Sequence, residues 1–160
     1  MSILKTRIYF CGGAGTNLGS LYGASFEGAC FLDSSDANLG DKQITEDRTF
    51  LIPNTDGAGG NQAYMMPFAR KYADDMLDMF EPGEMNILVC SADGGTGPAI
   101  ATTLVGKLIE QDCTTVVVMV GGTDTPRRIT NTLNTFKNLE LRAAKFKRTV
   151  ATAYVNNTAG

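Results

Sequence analysis

Two kinds of apolar pattern alternate along the chain. Short β-rich runs at Arg7 to Cys11, Gly28 to Leu32, Asn86 to Ser91, Thr115 to Gly121 and Thr149 to Val155, with a shorter one near Thr49 to Ile52, predict strands. Val116-Val117-Val118-Met119-Val120 is apolar at every position. It lacks the alternation of a half-exposed strand, which predicts a strand covered on both faces within a parallel sheet. Between the runs, apolar residues recur at three-to-four spacing: Met65, Phe68, Tyr72, Met76 and Met79, then Ile129, Leu133, Phe136, Leu139, Ala143 and Phe146. Both stripes read as helix faces packed on a core. Pro67 predicts that the first of these helices begins just before it or kinks there. Glu81-Pro82-Gly83-Glu84 supplies the breakers that close it.

Strand, turn and helix in repetition predict an α/β fold with a doubly wound, mostly parallel, Rossmann-like sheet, one domain over residues 1–160. Ligands of such sheets bind at the carboxyl ends of the strands. Three glycine-rich turns punctuate the chain: Gly12-Gly13-Ala14-Gly15-Thr16-Asn17, Gly57-Ala58-Gly59-Gly60-Asn61 and Ser91-Ala92-Asp93-Gly94-Gly95-Thr96-Gly97. The first and third directly follow strand candidates and precede helical segments. Glycine lets backbone amides approach an anion, and a helix starting just beyond adds unpaired N–H groups and the positive end of its dipole. This pattern reads as a phosphate cradle. In the third turn Thr96 offers a hydroxyl, and Pro98 suits the start of a helix running to about Gln111. The plainer alternative is a tight strand-to-helix connection that needs glycine only for sterics.

The first turn is ambiguous on its own. Gly13-x-Gly15-x-x-x-Gly19, with Asp33 about twenty residues further on, also matches a dinucleotide fingerprint. No Walker A motif exists, because no glycine turn runs into Gly-Lys-Ser or Gly-Lys-Thr. The chain has no histidine, which excludes Ser-His-Asp and Cys-His catalysis and histidine-containing zinc sites. A net charge of -3 and a pI near 4.9 argue against binding to a nucleic-acid duplex. They leave a nucleotide open, since backbone amides can hold its phosphates when a divalent cation shares the charge. Cys11, Cys30, Cys90 and Cys113 have no CxxC spacing and read as reduced thiols. Met1-Ser2-Ile3-Leu4-Lys5 has no signal-peptide character, and no apolar run approaches membrane-spanning length, so the expected setting is a reducing cytoplasm, with no membrane partner.

Taken together, the three turns resemble the tubulin/FtsZ superfamily, and within it the phage-encoded tubulin-like proteins. Asp93-Gly94-Gly95-Thr96-Gly97-Pro98 is similar to the superfamily's Gly-Gly-Gly-Thr-Gly-Thr loop, and Gly57-Ala58-Gly59-Gly60-Asn61 matches its Gly-Ala-Gly-Gly-Asn segment. The likeness runs in order from about Ile8 to Asn157. It implies binding of GTP and GDP with Mg2+, head-to-tail assembly into filaments, and, for a phage protein, the host bacterial cytoplasm. Under it, Gly12, Gly13, Thr16 and Asn17 line the first nucleotide loop, and Gly59, Gly60 and Asn61 approach the γ-phosphate. Gly94, Gly95, Thr96 and Gly97 cradle the phosphates, and Asp36 lies near the cation or nucleotide. Asp124 and Arg128 match an acid and an arginine placed on ribose and phosphate, although four-residue spacing equally describes an ordinary helix ion pair. Asn156 or Asn157 resembles the asparagine that reads the guanine edge.

Two departures from the superfamily qualify that expectation. Asp93 stands where the signature loop carries a small residue. A carboxylate roughly 6 Å from a phosphate costs about 3 kcal/mol at an effective dielectric near 20, unless it turns outward or shares a cation. The superfamily also continues into a long helix, a catalytic loop and a second domain, for which these residues hold no counterpart, so GTP hydrolysis by the family mechanism is not expected of them alone. Two other classes stay open. One is an NAD(P)-dependent oxidoreductase fragment, for which a Tyr-x-x-x-Lys pair is expected and absent. The other is a nucleotide-free interaction module on the same fold.

Overall fold

The computed structural model describes residues 4–23, 25–39 and 44–157. Strand β1 (Thr6–Cys11) runs straight into helix α1 (Gly12–Tyr22), followed by β2 (Ala29–Asp33), β3 (Thr49–Leu51), α2 (Gln62–Met79), β4 (Met85–Ser91), α3 (Thr96–Glu110), β5 (Thr114–Gly121), α4 (Pro126–Phe146) and β6 (Ala151–Asn156). Short 3-10 turns at Asp36–Asn38 and Glu46–Arg48 lie between β2 and β3. All the strand pairings are parallel, in the order β3-β2-β1-β4-β5-β6. This is the doubly wound α/β sheet expected from the apolar pattern. Its growth reverses direction between β1 and β4, which places the binding crevice of such sheets at the carboxyl ends of those two strands.

The two faces of the sheet are covered unequally. Tyr9, Cys11, Cys30, Leu32, Leu88, Cys90, Val117 and Met119 belong to one large core shared with α2, α3 and α4. Phe10, Ala29, Phe31 and Val89 form a smaller core with Leu18 of α1. Burial therefore alternates along β5: Thr115, Val117 and Met119 are buried, whereas Val116, Val118 and Val120 are half-buried. The run expected to be covered on both faces is fully covered on one. The reason is geometric, because α1 lies over β1, β2 and β4 and does not reach across β5.

Helix starts follow the local chemistry. Asn61 caps α2, its Oδ1 accepting from the Tyr64 N–H at 3.0 Å, so the helix begins well before Pro67, which sits inside it. Thr125 caps α4 by accepting from the Arg128 N–H at 3.2 Å, with Pro126 in the first helical position. Helix α3 begins at Thr96, two residues ahead of Pro98, whose missing N–H costs nothing in a first turn. All four cysteines are free thiols. Burial pushes the Cys30 and Cys90 thiols up to about 12 and raises Cys11 as well. Among the described residues no helix is long and apolar enough to cross a membrane.

Candidate functional site

The three glycine turns meet at the carboxyl rim of the sheet, around a cleft of about 280 Å3. Gly12 adopts φ +72°, and a Cβ there would lie 2.6 Å from the Gly97 nitrogen, so the first and third turns are in backbone contact. A Cβ on Gly95 would lie 2.8 Å from both the Ala58 Cβ and the Asn61 nitrogen, so the third turn packs on the second. At these positions the steric reading of the glycines holds. Gly57 (φ +79°) and Gly59 (φ +57°) differ, because nothing lies within 4 Å of where their Cβ atoms would be. Their glycines serve the left-handed backbone, and the space in front of them is open. Gly15 and Gly19 of the dinucleotide-like fingerprint are packing glycines: a Cβ would lie 2.5 Å from the Val89 carbonyl oxygen and 2.6 Å from the Phe10 ring respectively.

A polar scaffold holds the turns from behind. Thr135 donates its hydroxyl to the Ala92 carbonyl at 2.7 Å and accepts from the Gln62 amide at 3.0 Å. Gln62 also donates to the Gly94 carbonyl at 2.9 Å. Asn131 donates to the carbonyls of Gly60, at 3.1 Å, and Asp93, at 3.0 Å. Arg127 donates from Nη2 to the Gly59 carbonyl. The Thr96 and Ser34 hydroxyls share a buried hydrogen bond of 2.7 Å, tying the third turn to the end of β2. The apolar stripe expected along α4 is corrected at its amino-terminal end, where Ile129 and Leu133 are 42% and 63% exposed and the inward face is instead Asn131, Thr132 and Thr135. Backbone carbonyls of the turns lie against that end, and carbonyls require donors.

Asp93 is turned away from the cleft. Its Oδ2 accepts from the Gly122 N–H at 2.8 Å and lies 3.4 Å from Arg128 Nε. Arg128 in turn donates to Asp124 at 2.9 Å, and this hydrogen bond holds the Asp124 carboxyl below its ordinary range. The expected penalty of a carboxylate facing phosphate is relieved by that geometry. Asp124 and Arg128 form the four-residue ion pair, extended to Asp93, and none of the three lines the cleft.

Of the other sequence candidates, Gly13, Gly59, Gly60, Gly94, Gly95, Thr96 and Gly97 line the cleft, together with Ala14, Gly57, Ala58 and Ser91. Thr16 is fully buried and Asn17 is exposed on α1, and neither lines it. Gly12 packs beneath the cleft, and Asn61 serves as the α2 cap. Asp36 opens an exposed 3-10 turn beside the lining residues Asp33 and Ser35. Asn156 donates to the Thr123 hydroxyl at 3.1 Å, and the Asn157 N–H donates to the Gly121 carbonyl at 2.8 Å, which sets both at the carboxyl end of β6 beyond the lining residues. Gln62, Arg127, Asn131 and Thr135 were not singled out from the sequence. The legible signal was the spacing of Arg127, Asn131 and Thr135, which puts three hydrogen-bonding side chains on one face of a helix. Among the described residues no group of three or more His, Cys, Asp or Glu is placed to hold a metal ion.

No family model matches the chain. Single relatives and solved structures do. A phage tubulin-like protein of Pseudomonas phage PhiPA3 is 32% identical over 160 residues, covering 100% of this chain and 50% of the relative. Another, of Pseudomonas phage phiKZ, is 32% identical over 172 residues, covering 100% of this chain and 52% of the relative. A protofilament of TubZ from Bacteriophage PhiKZ superposes with a TM-score of 0.92 at 31% identity, covering 98% of this chain and 50% of that one. The phage tubulin PhuZ with GDP superposes with a TM-score of 0.90 at 26% identity, over 98% of this chain and 50% of that one. The parallel sheet with its rim of glycine turns therefore has the tubulin-like fold seen in about half of each of those chains. The likeness, which runs along the whole of this chain, supports its place in the tubulin/FtsZ superfamily, beside the phage tubulin-like proteins it resembles. The chain spans about half the length of the curated relatives it matches.

Proposed function

We propose that the cleft binds the phosphates of a guanine nucleotide, GTP or GDP, and that the protein assembles head to tail into filaments in the cytoplasm of a bacterial host. The observation that carries the binding reading is the convergence of three glycine turns on one rim, packed against one another yet leaving open space in front of Gly57 and Gly59. A phosphate group fits such a cradle, since its walls are backbone and all three of its turns lie at helix N-termini. The lining side chains are small, with Asp33 the charged one. Mg2+ would then be held chiefly by the phosphates, with Asp33 in the cleft wall and Asp36 nearby as the carboxylates of that rim. Asn156 or Asn157 would meet the base from the end of β6, and Asp124 and Arg128 would stand between base and phosphates.

Assembly is supported by the likeness to a phage TubZ protofilament, and the guanine reading by the likeness to PhuZ with GDP. The partners proposed are thus a guanine nucleotide and further copies of this chain, with no direct role for nucleic acid or membrane. Thermal unfolding in Mg2+ with GTP, ATP or NAD tests the reading. Ligand at a hundred times its Kd stabilises by about 2.7 kcal/mol. For a domain of this size that raises Tm by roughly 5–10 °C. GTP is expected to give this shift, with ATP and NAD giving less. A shift with NAD alone, or with none of the three, would refute the reading.

A further inference from the structure

No lysine or arginine lines the cleft among the described residues, so the charge that offsets a bound polyphosphate has to reach it from the surrounding wall. Two arginines stand at the start of α4. Arg128 is committed, with Asp124 at 2.9 Å on one side and Asp93 at 3.4 Å on the other. Its charge is already offset by two carboxylates. Arg127 has no carboxylate within ion-pair distance among the described residues. Its guanidinium lies on the second glycine turn, donating to the Gly59 carbonyl and resting over Gly60, where a Cβ would collide with it. Gly60 adopts φ +77°, and the absence of a side chain there is what admits the guanidinium. A neutral carbonyl is a weak partner for an arginine, whose forked donors suit two oxygens of a phosphate. Its neighbour on the helix, Asn131, holds the Gly60 carbonyl as well, so the turn stays anchored when Arg127 moves.

From this we infer that Arg127, not Arg128, is the cation that meets the polyphosphate at the second glycine turn, and that it sets the preference for a triphosphate over a diphosphate. The inference rests on the guanine-nucleotide reading above. Arg128 instead acts as a positioning residue, keeping the Asp93 carboxylate off the phosphates. Guanidinium transfer from the Gly59 carbonyl to a phosphate also frees one backbone acceptor of that turn, so the occupancy of the terminal phosphate position is passed to the start of α4.

The test is equilibrium binding of GTP and GDP, each with Mg2+, to the full chain and to Arg127→Ala, Arg127→Gln, Arg127→Lys and Arg128→Ala. Arg127→Ala is expected to weaken GTP about tenfold and GDP about twofold or less, the scale of one charge-assisted contact. Arg127→Lys should retain most of the GTP preference, whereas Arg127→Gln, which keeps a donor but no charge, should lose it. Arg128→Ala should weaken both nucleotides by a similar factor and leave their ratio unchanged. An unchanged GTP/GDP ratio in Arg127→Ala, a wild-type ratio in Arg127→Gln, or a ratio that collapses only in Arg128→Ala would overturn the inference while leaving the guanine reading intact. Failure of the wild-type chain to bind either nucleotide would overturn both.

Discussion

The second and third glycine turns face the same cleft but are built differently. Around the third, side chains take the carbonyls of Ala92, Asp93 and Gly94, a buried hydroxyl pair fixes Thr96, and the Asp93 carboxylate is held by Gly122 and Arg128. Its central glycine, Gly95, has no room for even a methyl group. The second turn is held at the carbonyls of Gly59 and Gly60, from the side of α4, while Gly57 and Gly59 face empty space. One turn is fixed by side chains around it, and the other is held from the α4 side with open space in front of it. A half that is fixed in this way keeps the entropy cost of binding low.

The sharpest way to break that contrast is Gly95→Val. Its side chain would strike Ala58 and Asn61, forcing the two turns apart at a cost of about 3 kcal/mol. Circular dichroism should report an intact sheet, while GTP no longer raises Tm; an undiminished GTP shift would mean that the third turn does not hold phosphate. Thr135→Val comes next, because a near-isosteric methyl leaves the Ala92 carbonyl and Gln62 amide short of a buried partner, for about 2 kcal/mol in chemical denaturation. Loss of under half that value would show the scaffold to be dispensable. Gly57→Ala should cost about 1 kcal/mol, the strain of a left-handed alanine, since nothing lies near its Cβ. A cost equal to that of Gly95→Val would erase the distinction between the turns.

The smallest effect concerns pH. Asp124 has a folded pKa lowered chiefly by its hydrogen bond to Arg128, so its contribution is present above the ordinary value of 3.8 and is lost as pH falls through the lower folded value. An NMR titration should place the Asp124 midpoint below 3.8, returning toward it in Arg128→Ala. A midpoint that the variant does not move would detach Arg128 from the anchoring of Asp93 and Asp124.

Most of the scaffold was legible in the sequence because strands and glycine turns are local signals. The strand expected at Arg7 to Cys11 forms at Thr6–Cys11, and the helix expected from Pro98 begins at Thr96. Pro67 misled about the start of α2, because the Asn61 cap decides that end. The residues behind the turns were not legible, since their partners are distant in sequence: Gln62 meets Gly94, 32 positions away, and Asn131 meets Gly60, 71 away. Nothing local marks such donors. The direction of Asp93 was hidden for the same reason, as its hydrogen-bond donor is the backbone N–H of Gly122. The half-exposed face of β5 depends on where α1 ends its cover, which no pattern within Val116 to Val120 records.

The most direct measurement is amide hydrogen exchange of the full chain with and without GTP and Mg2+. Bound nucleotide should slow exchange together at 13–15, 57–61 and 93–97, with no change at the opposite rim around Asp112 to Thr115. Protection confined to one turn, or appearing at that opposite rim, would contradict a single anion gripped by three glycine turns.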